Sequence, residues 1–241
     1  MKKILLLLLL FNIFLLGKEP FLLYENKRII AHVVDLKKDE LNFYLKDENG
    51  AIFKRFETLN KWLKRKNKKL LFAMNGGMYM ENFMPLGLYI DKGKRVRRTN
   101  RVKRAFGNFY MQPNGVFFIT KKSNAYIKKT TDFKYKKYIK YATQSGPMLL
   151  INGKIHSLFR KGSHNVHIRN GVGILPNGKL LFAISNELIN FYDFATFFKN
   201  NGCKNALYFD GFVSRIYLPP VHGYFSSMKF GVIIGQVTRL K

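Results

Sequence analysis

Residues 70–88 read LLFAMNGGMYMENFMPLGL, and the fold follows from how that stretch is parsed. Leu70, Leu71, Phe72, Ala73 and Met74 form a short unbroken apolar run behind a Lys-rich segment, the pattern of a strand buried on both faces. The run ends on Asn75-Gly76-Gly77. Consecutive glycines open backbone angles closed to other residues, so the chain can turn sharply where the Asn side chain leaves the core. A polar group is thereby fixed at the lip of a sheet. The same plan recurs at Tyr141-Ala142-Thr143 before Gln144-Ser145-Gly146-Pro147, and at Ala206-Leu207-Tyr208-Phe209 before Asp210-Gly211. Side by side, these three strand ends would bring two amides, a hydroxyl and a carboxylate to one edge of the core, as α/β and α+β enzymes do when they build a pocket.

The flanking sequence supplies mostly strands. Residues 28–36 (RIIAHVVDL) and 41–46 (LNFYLK) predict two, and Glu48-Asn49-Gly50 turns into a third over 51–56, so an opening meander is expected. Residues 60–69, with Trp62 and Leu63 among Lys and Arg, predict a short surface helix. A strand over 85–90 precedes the turn Asp91-Lys92-Gly93-Lys94, and the seven Lys and Arg of 94–104 predict a mobile basic loop. Val116 to Thr120 is a clear strand, whereas the Lys/Tyr-rich residues 123–141 fit neither period. Residues 171–175 and 180–185 around Pro176-Asn177-Gly178-Lys179 make the strongest hairpin signal. Residues 190–200 (NFYDFATFFKN) have helical spacing, with Gly202 as C-cap, and 214–218 and 232–237 close the chain as strands. The expected fold is α+β: a single domain with a mixed, mostly antiparallel β-sheet and few helices.

With 241 residues and 47% hydrophobic content, the chain can bury a sizeable core. Residues 1–17 stand apart: Lys2 and Lys3 precede an apolar run that Lys18-Glu19-Pro20 breaks. That plan is a secretory signal peptide, with an uncleaved anchor as its alternative, and leaves 18–241 as the exported domain with no membrane span once the signal is removed. The expected location is the periplasm or the extracellular space. The lone Cys203 excludes an intramolecular disulfide and reads as a small buried residue before a nucleophile. Net charge is +29, which favours polyanionic partners. Export points to anionic glycans, lipid headgroups or wall polymers before nucleic acid, for which no reader motif is present.

Asp210 follows a buried strand and precedes Gly; it is either a catalytic carboxylate or an Asx turn closing the strand. Ser145 lacks a nucleophile elbow and a spaced His, and is read as a hydrogen-bond donor or turn residue. His164 and His167 flank loop-forming residues and are read as isolated side chains, not metal ligands. Arg169, at the mouth of the best hairpin, could grip a phosphate through two parallel N–H bonds, or simply add a charge.

Seven segments in order, Asn75-Gly76-Gly77-Met78, Pro85-Leu86-Gly87-Leu88, Gly107-Asn108-Phe109, Pro113-Asn114-Gly115-Val116-Phe117, Gln144-Ser145-Gly146-Pro147, Arg169-Asn170-Gly171-Val172-Gly173 and Asp210-Gly211, resemble the phosphodiester glycosidase family, in its bacterial exported subfamily. The segments run from Asn75 to Gly211, and the resemblance covers about residues 29–237. The family's Asp is followed by several glycines and a Ser, whereas Asp210-Gly211-Phe212-Val213-Ser214 keeps one Gly, so Phe212 and Val213 are expected to reshape the pocket. The resemblance implies hydrolysis of a sugar-1-phosphodiester at the anomeric bond. It assigns catalysis to Asp210, Arg169 and Asn75, and substrate contacts to Gly76, Gly77, Asn114, Gln144, Ser145, Gly146, Gly211 and Ser214. Asp210 would stabilise charge at the anomeric carbon, attack it, or activate water. No cofactor is called for; a divalent cation near Asp210 is compatible with the gathered oxygens but no spacing demands it. The expected partner is an anionic carbohydrate or phosphoglycan, and a non-catalytic module binding such a polymer is the competing reading.

Overall fold

The computed structural model of the chain describes residues 28–210, 212–219 and 228–240; the expected signal segment and Gly211 lie outside the described residues. Three antiparallel sheets surround one shared core.

The first sheet has six strands in the order β1, β12, β11, β13, β9, β10: Ile29–Val34, Leu180–Ser185, Asn170–Ile174, Ala206–Asp210, Met148–Ile151 and Lys154–Ile155. The second has β14 (Ile216–Tyr217), β3 (Lys68–Asn75), β15 (Ile233–Arg239) and β2 (Glu40–Tyr44). The third runs β5 (Lys94–Arg97), β4 (Tyr89–Asp91), β8 (Ile139–Ser145), β6 (Gly115–Thr120) and β7 (Ala125–Lys129). The α+β, mostly β architecture is as the strand-rich sequence implies. The expected parallel component is not seen: among the described residues every strand ladder is antiparallel.

Strand alternation sends one set of side chains inward, where Phe43, Phe72, Phe117, Tyr141, Phe182, Leu207, Phe209 and Ile234 meet in the central core. The opposite face of each sheet has its own cover. Helix α1 (Phe56–Arg65) lays Phe56, Leu59 and Leu63, spaced along one helical face, against Leu70 and Ile233 of the second sheet. Helix α2 (Phe191–Asn200) lays Phe191, Phe194 and Phe198 against Leu149, Leu181 and Tyr208 of the first. Phe133 seals the third sheet over Val116 and Phe118.

The ends of α2 are specified locally. Asn190 accepts from the Asp193 N–H at 2.8 Å and donates to the Asp193 carboxylate at 3.0 Å, a reciprocal cap. Gly202, at φ +76°, lets the Gly202 and Cys203 N–H groups return to Lys199 and Phe198 carbonyls, which stops the helix one residue beyond its Asn201 C-cap.

Several local expectations need correction. The opening meander does not form: β1 pairs with β12, β2 pairs with β15, and 51–56 contributes only the isolated Lys46–Ile52 bridge. The surface helix starts four residues before the predicted 60–69 segment, because Phe56 and Leu59 share the buried face. Within 85–90 only Tyr89 and Ile90 are in a strand, and Pro85 instead bridges Tyr79 across a small hairpin. The basic loop is partly ordered, since Lys94–Arg97 is β5. The ambiguous 123–141 region holds β7 and the start of β8.

Candidate functional site

The three turns that end β3, β8 and β13 do converge, but each comes from a different sheet. Their meeting point is a buried polar network around Asp210, which is 6% exposed.

Asn170 is the hub. Its Nδ2 donates to the Asn75 carbonyl at 3.1 Å and to Asn75 Oδ1 at 2.7 Å. Its Oδ1 accepts from the Asp210 backbone N–H at 3.0 Å and from Ser214 Oγ at 3.3 Å. Backbone groups therefore fix which end of this amide is which, because a main-chain N–H needs the oxygen and a main-chain carbonyl needs the nitrogen. The same reasoning orients Asn75, whose Oδ1 also accepts from the Arg215 N–H at 2.9 Å. Its Nδ2 is left facing Asp210 Oδ2 at 3.1 Å. Asp210 Oδ1 accepts from the N–H of Phe212 at 2.9 Å and of Val213 at 3.5 Å, and Ser214 Oγ donates to the Asp210 carbonyl at 2.5 Å. The Asx turn and the candidate catalytic carboxylate are thus the same structure: the turn is what holds the acid in place.

Sequence proximity misleads at Arg169 and Asn170. A bulge between Asn170 and Gly171 and the alternation of β11 send Asn170 to the Asp210 network and Arg169 to the α2 side. Arg169 is completely buried. Its Nε donates to the Ile189 carbonyl at 2.8 Å, its Nη2 to the Asn165 carbonyl and Oδ1 at 2.8 and 2.7 Å, and its Nη1 to Tyr208 Oη at 3.3 Å. The guanidinium lies 3.6 Å from the centre of the Phe191 ring. Burial pulls its pKa down, an effect the Tyr208 contact opposes. Four of its five N–H directions are committed to protein, so Arg169 acts here as a fixed positive charge behind Tyr208, not as an open phosphate fork. Burial raises the Tyr208 phenol and Asp210 adds to that, while Arg169 and, more weakly, Asn108 oppose it.

The remaining predicted residues divide. Ser145 Oγ donates to the Phe209 carbonyl at 2.9 Å, one residue before Asp210. Gly76 and Gly77 sit on the turn beside the network; the Gly76 carbonyl accepts from Thr143 Oγ1 at 2.7 Å, and Gly77, at φ +134°, has no room for a Cβ 2.9 Å from that same oxygen. Gln144, one position along β8 from Ser145, faces the opposite side. Its amide bonds Leu88 N–H at 3.0 Å, both backbone groups of Asn100 at 2.9 and 2.7 Å, and Thr130 Oγ1 at 3.2 Å. Asn114 donates to the Phe109 carbonyl at 2.9 Å, and Gly146 packs directly over its Cβ. These two amides brace the turns and are not brought to the carboxylate. Phe212 does not plug the site: it stands 87% exposed, while Val213 packs into the core under α1.

The positions of Tyr79, Tyr208 and Arg215 in the sequence carry no signal of a site role, whereas Asn108 and Asn170 stand in segments that resemble the family but have no role assigned to them there. Burial, and then the Asp210 charge, pushes the Tyr79 phenol up to about 12, and its hydroxyl donates to the Lys229 carbonyl at 2.9 Å. Arg215 is half-buried, with Nη1 donating to the Ser214 carbonyl at 2.7 Å. Among the described residues no three His, Cys, Asp or Glu side chains gather. A separate hollow of about 610 Å³ opens beside β7, lined in part by Lys128, Lys129 and Lys204, and shares no residue with the Asp210 network.

A family model described as phosphodiester glycosidase matches residues 68–219, which include β3, β8, β11, β13 and every member of the network. The chain is similar to the uncharacterized protein YigE of Escherichia coli, with 34% identity over 220 residues, covering 90% of this chain and 85% of that protein. Among solved structures, the zebrafish N-acetylglucosamine-1-phosphodiester alpha-N-acetylglucosaminidase catalytic domain, auto-inhibited by its pro-peptide, has a TM-score of 0.56 at 16% identity, over 86% of this chain and 87% of that one. A candidate exported protein of Burkholderia pseudomallei gives a TM-score of 0.53 at 9% identity, over 86% of this chain and 73% of that one. At these identities the two structures share the fold.

Proposed function

Because the chain belongs to the phosphodiester glycosidase family, we propose that it is an exported hydrolase cleaving the anomeric bond of sugar-1-phosphodiesters or related envelope phosphoglycans. The observation that carries this reading is Asp210: a carboxylate at the junction of three sheets, aimed by Asn75 and by the amides of its own turn.

The chemistry suits that arrangement. A phosphodiester anion leaves readily, so departure needs little proton donation and the demand falls on stabilising an oxocarbenium-like transition state. Asp210 supplies negative charge there. It is pre-aligned, so little reorganisation is needed as the charge develops. Asn75 orients the carboxylate, and the turn amides near Gly77 offer donors to sugar hydroxyls and phosphate oxygens. Arg169, behind Tyr208, and Arg215 supply positive potential for the phosphate. Export is supported by the signal-like residues 1–17.

A crystal soaked with a sugar-1-phosphate tests this assignment. The sugar is expected within hydrogen-bonding distance of Asp210 with the phosphate toward Gly77 and Arg215. Occupancy only in the hollow beside β7 would remove the Asp210 network from the reaction.

A further inference from the structure

Residues 92–131 contain twelve Lys and Arg and no Asp or Glu, and from 133 to 186 no acid follows. The third sheet and its connections are built almost entirely from these residues, so its flank is strongly cationic. Charge alone would mark only a solvated surface. Here it surrounds displayed apolar groups.

Arg101 to Gly107 are seven consecutive exposed residues, carrying Arg101, Lys103 and Arg104 around a half-exposed Val102 and a fully exposed Phe106. The display is clamped at both ends. Asn100 is held by the buried Gln144 amide and donates to the Leu86 carbonyl at 3.2 Å, and Arg101 Nη1 reaches the Thr130 carbonyl at 3.5 Å. At the other end the Tyr110 N–H returns to the Gly107 carbonyl. On the third sheet and its cover, Arg95 lies 4.8 Å from the Tyr135 ring centre, and Val96, Tyr126 and Tyr138 are exposed. Tyr126 stacks on Phe118 of the neighbouring strand at 5.1 Å.

We propose that this flank, led by Val102 and Phe106, docks the protein on an anionic membrane surface. A soluble polyanion would neutralise the cations but leave Phe106 and Val102 in water. A lipid interface accommodates both, with headgroup phosphates meeting Lys103 and Arg104 and the phenyl ring entering the boundary with the acyl chains. Among the described residues no helix is long and apolar enough to cross a membrane, so attachment through these residues is peripheral. The loop runs directly into Asn108, whose side chain lies near enough to Tyr208 to bear on its titration, two residues before Asp210. Docking through this loop would set the membrane on the side of Asn108; the docking itself does not rest on the proposed function.

The test is sedimentation of the full chain with phosphatidylglycerol/phosphatidylethanolamine vesicles and with phosphatidylcholine vesicles. All variants keep the same N-terminal segment, so its contribution cancels. Wild-type protein is expected to prefer the anionic vesicles, and less so in high salt. Each cation near such a surface strengthens binding by roughly fivefold, so Lys103→Ala with Arg104→Ala should lose about tenfold or more. Val102→Ser with Phe106→Ser should lose a similar factor on vesicles while its elution from heparin stays unchanged, and the melting temperature of this exposed pair should match wild type. The Phe106→Trp variant should gain a blue-shifted emission on anionic vesicles alone. Wild-type vesicle binding by the Val102/Phe106 pair, or binding to heparin without binding to vesicles, would overturn the proposal.

Discussion

Replacing Asn170 tests the network where it is most constrained. Asn170→Ala removes four hydrogen bonds. Two partners keep alternatives: Asn75 Oδ1 still receives the Arg215 N–H, and Ser214 Oγ still donates to the Asp210 carbonyl. The Asp210 N–H loses its acceptor, which costs about 1–3 kcal/mol, and the other lost bonds cost about 0.5–1.5 kcal/mol each. A loss of about 3–5 kcal/mol is expected after some relaxation. Asn170→Asp is nearly isosteric and looks milder, yet it sets a carboxylate oxygen where Nδ2 donated, against the carbonyl and Oδ1 of Asn75 at 3.1 and 2.7 Å. Asn170 is itself fully buried and Asp210 is close by, so the new charge is desolvated beside another carboxylate. The acid should therefore destabilise at least as much as the alanine at pH 7. Its folded pKa would be raised, so this excess appears above the unfolded value of about 4 and shrinks as pH falls toward it. The alanine deficit should not shrink. Urea unfolding of both variants and wild type at pH 7 and pH 4.5 reads the difference. An Asn170→Asp protein as stable as wild type at pH 7 would refute the amide orientations on which the site is built.

Other expectations follow from the same structure. Asp210→Asn places an amide nitrogen against Asn75 Nδ2, and adding Asn75→Asp restores a donor–acceptor pair; the double variant should regain stability over the single one but not sugar release, because the charge has moved. Cys203 is buried and free, and desolvation pushes its thiol up to about 12, so it should resist alkylation at pH 8 until the protein is unfolded. His156 is lowered from 6.5 by burial, partly offset by its 3.1 Å bond to the Gln112 carbonyl. Its Nδ1 accepts from the Leu158 N–H, which fixes the neutral form. The unfolded chain then binds more protons, so its contribution is complete above 6.5 and is lost as pH falls through that value toward the folded pKa. His156→Gln should flatten part of the decline in melting temperature between pH 7.5 and 5.5. His167, lowered by burial and Arg169, should leave the rest.

The features legible in the sequence were those encoded locally. The β11–β12 hairpin, the capped α2 and the apolar runs before Asn75 and Asp210 each carry period, turn chemistry and stop signals within a dozen residues. Partner choice was not legible: Ile29–Val34 has the pattern of a meander strand, but its partner lies about 150 residues later at Leu180–Ser185. Nor was strand parity. Arg169 drew attention as the charge at the hairpin mouth, yet the bulge after Asn170 and the alternation of β11 give the neutral neighbour the position facing Asp210. Gln144 and Ser145 are adjacent polar residues in the sequence, but alternation puts them on opposite faces of β8, one bracing Asn100 and the other tied to Phe209. A strand end shows in composition; which face each residue takes depends on register set elsewhere in the chain.

The most direct test is the rate at which purified protein releases free sugar from a sugar-1-phosphodiester, compared between wild type and Asp210→Asn at a temperature where both are folded. Turnover by wild type and a loss of about two or more orders of magnitude in the variant are expected. Equal rates would contradict the assignment of Asp210, and a folded wild type that releases nothing from any such diester would contradict the reaction.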